Sequence, residues 1–437
     1  MLNNGKNEIL NFLRNVFSLL LYSVLVFTII IEIFMPLVVK LMASGFTEDR
    51  EKYILAVELS RITFPYLILI AMVSFMSGIL HSHGKFLAVS LNPLLLNLVF
   101  IVLSITSHVF GGDIIRILSY GVIIGGFLQL IVMSIEVMKE GILLFPLWVK
   151  IDQMTKKFIS NFFSAIVASG IDQINAIVDS IMASRMVGAV SHLYYAERLV
   201  QLPLSLIGTA IGTSILPLLS KKIEQNDDER FKIQENALLV TMIFSLPCTV
   251  YLYKLSQSFV PLLFENGKFT SSSSMAVASG VKIYALALPI FMASKILQSI
   301  FFSNGDTKTP VVAALVSLLS NILLNILLVR YFGYLGIVIS SVISGYLDFL
   351  TMLVLLIIKN RLILSGQFLL KVVKILYSLA FLWLTLVLVD RLILPGQNKL
   401  SQFIRLAILG STSGLVYLIV SSLTGVIDIK GRVRFNS

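Results

Sequence analysis

The stretch GVKIYALALPIFMASKILQSIFF, residues 280–302, is apolar over a length that fits a membrane-spanning helix. Crossing the hydrocarbon core of a bilayer takes about 20 consecutive, mostly apolar residues. The whole chain shares this character, because 57% of its 437 residues are hydrophobic, only 13% are charged, and the mean hydropathy is +0.93. A soluble domain of this length needs far more charge on its surface. The composition therefore predicts a membrane protein with many spans.

The predicted fold class is an all-α polytopic membrane protein with about twelve transmembrane helices. Helices satisfy their own backbone hydrogen bonds in lipid, and the alternating pattern of a membrane β-barrel is absent from the sequence. The predicted spans are 16–39, 57–80, 86–107, 114–138, 158–183, 196–218, 237–262, 280–302, 311–329, 334–358, 370–389 and 403–424.

Lysine and arginine predict the orientation of these spans. Of the 34 basic residues, most fall in the loops and tails that are cytoplasmic if the N-terminus is inside. Positive charge in short loops favours the cytoplasm, so both termini are expected there. Because the basic residues are dispersed among the spans and form no single patch, we expect no nucleic-acid partner.

A long internal repeat divides the chain. Residues 35–86, MPLVVKLMASGFTEDREKYILAVELSRITFPYLILIAMVSFMSGILHSHGKF, resemble residues 259–310, FVPLLFENGKFTSSSSMAVASGVKIYALALPIFMASKILQSIFFSNGDTKTP. The ordered matches are Phe46-Thr47 with Phe269-Thr270, Pro65 with Pro289, Gly84 with Gly305, and Asn97 with Asn321.

The matched loops are predicted on the same side of the membrane, so the repeat is parallel and its axis lies along the membrane normal. Such a design places a substrate path between two pseudo-symmetric lobes. Two helices precede the second copy and none precedes the first. We therefore expect 1–140 to be an incomplete first lobe of four helices and 156–360 a second lobe of six.

Polar side chains mark one helix of the second lobe. Asp172, Asn175 and Asp179 lie at i, i+3 and i+7, and hence on one helix face. Charges within a span are costly and usually face a cavity, although a polar seam against a neighbouring helix explains the same spacing. Asn321 and Asn325 share a face of another helix. Their oxygens, near Asp179, suit a small hard cation such as sodium, and interhelical hydrogen bonding is an equal alternative.

Three further charged residues are candidates for substrate binding. Arg198 begins a span beside two tyrosines, and a guanidinium offers paired donors that match phosphate; the alternative is an interfacial arginine that reaches toward the membrane surface. Glu197 precedes it on a different helix face. Lys295 either lines an inward cavity or extends toward the interface.

Sequence motifs of enzymes and pumps are absent. The chain contains no Walker motif, HExxH, GxSxG or pair of catalytic acids, and its four histidines show no metal-ligand spacing. These observations disfavour an ATP-driven pump, an enzyme and a metal site.

The segment QINAIVDSIMAS followed by VSHLYYAERLVQLPLSLIGTAIGTSILPLLSK, within 173–221, resembles the signature stretch of the MurJ/MviN lipid II flippases. That family is part of the multidrug/oligosaccharidyl-lipid/polysaccharide exporter superfamily. The likeness extends over nearly the whole chain through ITFPYLIL (62–69), NPLLLN (92–97), LFENGKFT (263–270) and NGDTKTP (304–310).

The resemblance implies two six-helix lobes plus two C-terminal helices, here 368–425, that line a groove for a lipid tail. It implies translocation of an undecaprenyl-diphosphate-linked peptidoglycan precursor across the bacterial inner membrane by alternating access. Twelve spans are then fourteen minus the first two. No cofactor is implied beyond a coupling sodium ion or proton, and a monomer is expected.

The resemblance also carries residue roles. Arg198 matches the arginine of the family's cationic cavity, and Glu197 stands where an aspartate is commoner. Asp179, Asn321 and Asn325 match positions at which some members bind sodium, with Ser341 as a further oxygen donor, although a carboxylate is more usual at the place of Asn325. The alternatives are an ion-coupled drug or polysaccharide exporter of the same superfamily, or an inactive truncated remnant.

Overall fold

The computed structural model of the chain describes residues 2–150, 153–212, 214–215, 219, 227–393 and 398–427. Side chains are described throughout these ranges except at 2–7, 160–161, 163–169, 171–172 and 227–228. The contacts between helices divide the chain into two units, Met1–Val167 and Ala168–Ser437.

Unit 1 contains six complete helices, a short 3₁₀ turn at Ser44–Glu48, and the beginning of a seventh helix that crosses the unit boundary. The helices are α1 (Leu2–Ile33), α2 (Met35–Met42), α3 (Arg50–Thr63), α4 (Tyr66–Ser82), α5 (Phe86–Phe110), α6 (Ile114–Lys139) and α7 (Gln153–Ser184).

Unit 2 contains the end of α7 and the rest of the described helices. They are α8 (Ala189–Pro203) with its π-helical continuation Leu204–Thr209, α9 (Asp227–Phe264), α10 (Ser271–Ser303), α11 (Lys308–Phe332), α12 (Tyr334–Ile358), α13 (Gly366–Leu392) and α14 (Lys399–Leu423).

The helical membrane fold is confirmed. Ten helical segments in the described part of the chain are long and apolar enough to cross a membrane. Large apolar side chains such as Leu319 and Leu388 are exposed along them, as expected for surfaces that face lipid. Of the other two predicted spans, 158–183 lies within α7, whereas 196–218 begins in α8 and continues through the π-helical segment toward residues outside the description.

Two predicted spans are broken by proline in unit 1. The predicted span 16–39 is α1 and α2, separated at Phe34 with Pro36 in the first turn of α2. The predicted span 57–80 is α3 and α4, separated at Phe64 and Pro65. Proline lacks a backbone N–H and its ring clashes with the preceding turn, which accounts for both interruptions.

The repeated glycine is confirmed in the backbone. Gly84 follows α4 with φ +72°, and Gly305 follows α10 with φ +69°. This left-handed conformation is favourable for glycine and strained for other residues. Matching turns at matching positions support the internal repeat.

The core of unit 2 is built around α10, which packs against α8, α9, α12 and the π-helical segment. Leu288, Met292 and Ile296 of α10 are fully buried. A Cβ added at Gly208 would lie 2.9 Å from Cγ of Met292, so the absence of a side chain allows the π-helical segment to approach α10. Gly208 therefore serves close helix packing.

Candidate functional site

A cavity of about 320 Å³ lies within unit 2. It is enclosed by α7, α8, the start of the π-helical segment, α10, α11 and α12. Its lining residues are Asn175, Ala176, Asp179, Glu197, Val200, Gln201, Leu204, Tyr284, Phe291, Ser294, Lys295, Gln298, Ala314, Ser317, Asn321, Ser341, Ser344, Gly345 and Asp348. The cavity thus holds three carboxylates and one ammonium.

The predicted ion-site residues converge on Asp179, which is 8% exposed. Asn325 Nδ2 donates a hydrogen bond to Asp179 Oδ1 at 2.7 Å, and Ser341 Oγ donates to Asp179 Oδ2 at 2.8 Å. Asn325 Nδ2 also donates to Asn321 Oδ1 at 3.0 Å. Three helices, α7, α11 and α12, thus bring together all four residues that the sequence singled out for an ion.

The local structure explains why these side chains meet. Asn321 and Asn325 are one helical turn apart, so both point from the same face of α11. Asn321 Nδ2 donates to Ser341 Oγ at 3.4 Å, which ties that face to α12. The hydroxyl of Ser341 also bonds to the carbonyl of Ile337 within its own helix, at 3.0 Å. The arrangement holds a carboxylate among neutral donors.

One buried acceptor of this cluster has no partner among the described residues. Asn325 is fully buried, and its Oδ1 accepts no hydrogen bond. A buried polar atom left unsatisfied costs about 1–3 kcal/mol. Rotation of the amide by 180° would exchange Nδ2 for Oδ1 and turn an oxygen toward Asp179 Oδ1 and Asn321 Oδ1. The donor set of Asp179, Asn321, Asn325 and Ser341 therefore fits a small hard cation.

Glu197 lines the same cavity from α8. Tyr284 of α10 donates a hydrogen bond from its hydroxyl to Glu197 Oε1 at 3.4 Å. Tyr284 is 4% exposed. The sequence assigned Glu197 to substrate binding, and the structure places it beside the ion-site residues.

Arg198 lies on a different face of α8. It is exposed and is not among the residues that line the cavity of unit 2. Its guanidinium donates to Gln201 Oε1 at 3.0 Å and lies 4.9 Å from the centre of the Tyr194 ring. The side chain thus lies at an exposed position, and its role in substrate binding stays a prediction. Within the described contacts most of its five N–H donors are uncommitted.

Lys295 of α10 lines the cavity, as the sequence suggested in its first alternative. Its Cβ would lie 3.3 Å from a Cβ added at Gly212. The glycine therefore leaves the space that the lysine stem occupies. The substrate-binding role of this ammonium remains a prediction.

The polar face of α7 continues toward the cavity mouth. Asn175 lines the cavity, and its Oδ1 is buried without a described partner. The side chain of Asp172 lies outside the described residues. Of the three polar positions on this helix face, two thus contribute to the cavity.

Tyr284 is the site residue that sequence reasoning missed. Tyr284 lies in an apolar helix, where a tyrosine is expected to serve packing. Its carboxylate partner, Glu197, is 87 positions away in the sequence. The sequence offered one signal for Tyr284, its place five residues before Pro289 on the same helix as Lys295.

Comparison with known proteins identifies the family. The family model for the lipid II flippase MurJ matches residues 1–406. The chain belongs to the MurJ lipid II flippase family. A relative from Rickettsia prowazekii (strain Madrid E), named "Probable lipid II flippase MurJ", is 37% identical over 340 residues, 77% of this chain and 66% of that protein. A relative of the same name from Rhizobium tropici is 31% identical over 99% of this chain and 83% of its own length.

Solved structures agree with the MurJ family assignment. A structure described as "Lipid II flippase MurJ, inward closed conformation" has a TM-score of 0.77 and 25% identity, covering 95% of this chain and 84% of its own. An inward-facing multidrug resistance MATE family transporter has a TM-score of 0.64 at 14% identity, covering 78% of this chain and 79% of its own. The second likeness shows that the transporter fold is shared.

Proposed function

We propose that the chain translocates a lipid-linked peptidoglycan precursor, an undecaprenyl diphosphate that carries a disaccharide-pentapeptide, across the bacterial inner membrane. Membership of the MurJ lipid II flippase family is the observation that carries this proposal. The ten candidate spans among the described residues place the chain in a membrane. We further propose that both termini are cytoplasmic, that the protein works as a monomer, and that no nucleic acid takes part.

The physical problem is to move a diphosphate through hydrocarbon. A charged headgroup pays a large desolvation cost in an apolar barrier, whereas its lipid tail can remain in the bilayer. Fixed cations along the path replace the hydration of the phosphates. Arg198 is the first candidate because its exposed guanidinium keeps donors for paired hydrogen bonds with phosphate oxygens. Lys295 is the second candidate, as the ammonium of the unit 2 cavity.

Alternating access is the proposed mechanism of movement. The internal repeat supports two lobes that rock against each other, which we assign to 1–140 and 156–360, with 368–425 as helices for the lipid tail. We propose that a sodium ion or proton at Asp179 biases this cycle. One elementary charge that crosses 100 mV of membrane potential provides about 2.3 kcal/mol, enough to favour one direction.

The cation site rests on the chemistry of its donors. Asp179 supplies the charge, Ser341 and Asn321 supply neutral oxygens, and the unpartnered Oδ1 of Asn325 completes the set after an amide rotation. In the arrangement described, Asn325 Nδ2 lies within 3.0 Å of oxygens on both Asp179 and Asn321.

Proteoliposomes that contain the purified chain and lipid II test the proposal. Arg198→Ala should lower the rate of translocation at least about 10-fold, the loss of roughly 1.4 kcal/mol of headgroup stabilisation. The translocation rate of Arg198→Lys should lie between those of the wild type and Arg198→Ala, because an ammonium keeps the charge and loses the paired geometry. Arg330→Ala is the matched control, since Arg330 is an exposed arginine at a helix end of the same unit.

The outcomes separate the candidate functions. Translocation that depends on Arg198 and not on Arg330 supports the proposal. Transport of a free drug or polysaccharide with no movement of lipid II would favour the exporter alternative. No transport of either substrate by the wild-type chain would favour an inactive remnant.

A further inference from the structure

Two lysines and two aromatic side chains of unit 2 come together outside its cavity. Tyr253 and Lys254 belong to α9, Lys282 to α10 and Trp383 to α13, and α9 packs against both of the other helices. The Nζ atom of Lys254 lies 5.9 Å from the centre of the Trp383 ring, and that of Lys282 lies 5.7 Å from the centre of the Tyr253 ring. The two ring centres are 6.4 Å apart. These four side chains form what we call the lysine–aromatic cluster.

The cluster lies at one depth, well inside the ends of its helices. Lys254 is the tenth residue before the last residue of α9, Lys282 the eleventh after the first residue of α10, and Trp383 the ninth before the last residue of α13. At a rise of 1.5 Å per residue, each lies about 14–17 Å from its helix end. These ends are on one side of the unit, because Lys399, at the start of α14, donates to the carbonyl of Glu265, just after α9, at 3.0 Å. The two lysines thus belong to the candidate membrane spans.

The helices that carry the cluster do not compensate its charge. Among the described residues, neither Lys254 nor Lys282 forms an ion pair or a side-chain hydrogen bond. The sequence of α10 contains no acid, and the acids of α9 all fall within 227–235, toward its other end. Asp390, the acid of α13, pairs with Arg405 at 2.6 Å. Since charges within a span are costly and mark ligand sites when they are kept, the two ammonium groups call for an anionic partner.

Anchoring at the membrane surface is the alternative explanation of such residues. Lysines at helix ends extend toward water, and aromatic side chains gather at the same level. In the cluster, however, each ammonium lies within the distance at which an aromatic ring attracts a cation, and both lysines are half-buried. Tyr253 and Trp383 are 39% and 37% exposed. The rings thus hold the charges beside the helices, where a molecule in the bilayer can reach them.

We propose that the lysine–aromatic cluster binds the phosphate groups of a lipid diphosphate in the leaflet that receives it. This inference rests on the proposed function, which supplies the substrate class and the orientation: with both termini cytoplasmic, the loop 265–270 faces outward. Two ammonium groups match the charge of two phosphates, and a lysine binds phosphate as a point charge without a fixed geometry. A lipid tail on the helices of 368–425 leaves its phosphates beside α13, which carries Trp383. The cluster then holds the headgroup at the protein surface after it leaves the path of translocation.

Trp383 itself can report the binding. The chain contains two tryptophans, and the other, Trp148, is 94% exposed in unit 1. Trp148→Phe therefore leaves Trp383 as the single tryptophan of the full chain, and we call this variant the reporter protein. A phosphate that draws Lys254 from the indole ring changes the charge beside that ring. Undecaprenyl diphosphate titrated into the reporter protein in detergent should hence change the tryptophan emission and reach saturation.

Removal of both charges should weaken this binding. Lys254→Met with Lys282→Met keeps two long apolar side chains, and it should raise the Kd of undecaprenyl diphosphate at least about 10-fold. Each single substitution should raise the Kd about 3-fold, which keeps the test available if the double variant fails to fold. Arginine at both positions keeps the charges, so the Kd should stay within about 3-fold of that of the reporter protein.

Lys52→Met is the matched control. Lys52 lies 4.0 Å from the centre of the Phe46 ring in unit 1, on the side that the sequence predicts to face outward. It thus has a cation–π contact of the same kind and lies outside the cluster. In the reporter protein, this substitution should leave the Kd and the change in Trp383 emission as they were.

Two further ligands distinguish the sources of phosphate. Phosphatidylglycerol has a lipid tail and a single phosphate, and inorganic diphosphate has two phosphates and no tail. Both should bind the reporter protein at least about 10-fold more weakly than undecaprenyl diphosphate. Equal affinity for phosphatidylglycerol would overturn the inference and identify a phospholipid site. Equal affinity for inorganic diphosphate would overturn it as well, because the lipid would then contribute nothing.

Failure of the inference can be told from failure of the proposed function. An unchanged Kd in the double methionine variant overturns the inference, and so does a reporter protein whose Trp383 emission does not respond although it translocates lipid II in proteoliposomes. The proposed function stands in both cases. A reporter protein and a wild-type chain that neither bind undecaprenyl diphosphate nor translocate lipid II contradict the proposed function, and the inference fails with it.

Discussion

Each of the two units has a polar centre, a cluster of side chains that form hydrogen bonds between neighbouring helices. The two centres differ in charge. In unit 1, Asn92 and Gln129 exchange hydrogen bonds, each side-chain amide donating to the other's backbone carbonyl, at 3.3 and 3.1 Å. Tyr66 donates to Gln129 Oε1 at 3.0 Å. In unit 2, Asp179 supplies a carboxylate and Asn325 an unpartnered acceptor. The centre of unit 1 is neutral and its side chains satisfy each other's hydrogen bonds, so it serves to join helices. The centre of unit 2 is ionisable and leaves one acceptor without a described hydrogen bond, so it can accommodate a ligand.

A second comparison concerns the turn after the repeated glycine. The N–H of Lys85 bonds to the carbonyl of Leu80 at 2.9 Å, and the N–H of Asp306 bonds to the carbonyl of Phe301 at 3.0 Å. This is the same helix-ending hydrogen bond in both units. The backbone geometry has been kept, while a basic residue in one unit corresponds to an acidic residue in the other.

The partners of these two residues are reversed in charge as well. Lys85 pairs with Glu140 after α6 at 3.3 Å, and Asp306 pairs with Lys359 after α12 at 2.7 Å. Arg361 adds a second contact to Asp306 at 2.9 Å. Because the pair is retained with its signs exchanged, its role is to fasten a loop to a helix end rather than to bind a charged ligand.

Making the centre of unit 2 neutral should have the largest effect. Asp179→Asn removes the single carboxylate of the cation site, and we expect cation affinity to fall about 10- to 100-fold, with cation-dependent translocation lost in proteoliposomes. Gln129→Ala disrupts the neutral centre of unit 1 instead. It should lower thermal stability while the response of translocation to the cation persists, and a loss of that response would remove the distinction between the two centres.

Two glycines, one in each unit, test how closely neighbouring helices pack. A Cβ added at Gly345 would lie 2.2 Å from Cε1 of Phe291, and one at Gly126 would lie 2.6 Å from Cδ2 of Tyr66. Alanine at either position overpacks the helix contact. We expect a loss of about 3 kcal/mol for Gly345→Ala and somewhat less for Gly126→Ala, measured by unfolding in detergent. Gly410→Ala meets no atom within 4 Å and serves as control; equal stability of all three variants would refute the packing argument.

The ion pair of unit 2 is less exposed than that of unit 1 and should be worth more. Asp306 accepts hydrogen bonds from Thr309 as well as from Lys359 and Arg361. Asp306→Asn should therefore cost about 2 kcal/mol of unfolding free energy, the range of hydrogen bonds to charged groups.

The pH dependence of that cost follows from the pKa of Asp306. Burial raises this pKa, but the hydrogen bonds from Lys359 and Thr309 outweigh burial and hold it well below its ordinary 3.8. A depressed folded-state pKa contributes stability that is present above the unfolded pKa and is lost as pH falls through the folded one. The difference between wild type and Asp306→Asn should hence be constant from neutral pH down to about 4 and shrink at lower pH. A difference that shrinks already between pH 7 and 5 would contradict this.

The smallest effect is expected for the pair in unit 1. The side chains of Lys85 and Glu140 are 57% and 22% exposed, and exposed ion pairs contribute about 0–1 kcal/mol. Lys85→Asp should have little effect, and addition of Glu140→Lys should restore wild-type stability with the signs that unit 2 uses. A double variant less stable than the single one would show that the sign of this pair is fixed by its surroundings.

Much of the fold could be predicted because hydropathy reports directly on membrane spans. Ten of the twelve predicted spans correspond to candidate membrane helices among the described residues, and 158–183 lies within α7. The ends of the helices were harder to predict. The helices α9 and α10 begin at Asp227 and Ser271, well before the apolar stretches that start at 237 and 280. The breaks at Phe34 and Pro65 were also missed, because Pro289 occupies the matching position in an unbroken α10. Whether proline breaks a helix depends on neighbours that satisfy the freed carbonyls.

The candidate site was predictable where spacing defines a face. Asn321 and Asn325 have to share a side of α11, and their meeting with Asp179 was anticipated from oxygen chemistry. The part played by Tyr284 was not, because only the packing of α10 against α8 brings its hydroxyl to Glu197. The exposure of Arg198 likewise depends on how α8 is rotated about its axis, which a sequence pattern at the mouth of a span does not determine.

The most direct test of the central claim is translocation of lipid II by the purified chain in proteoliposomes, compared between wild type and Asp179→Asn with and without a cation gradient. The account predicts that the wild-type chain moves lipid II faster when the gradient is imposed and that Asp179→Asn shows no such increase. An equal response of both proteins to the gradient would contradict the assignment of unit 2 as the unit that binds the coupling cation.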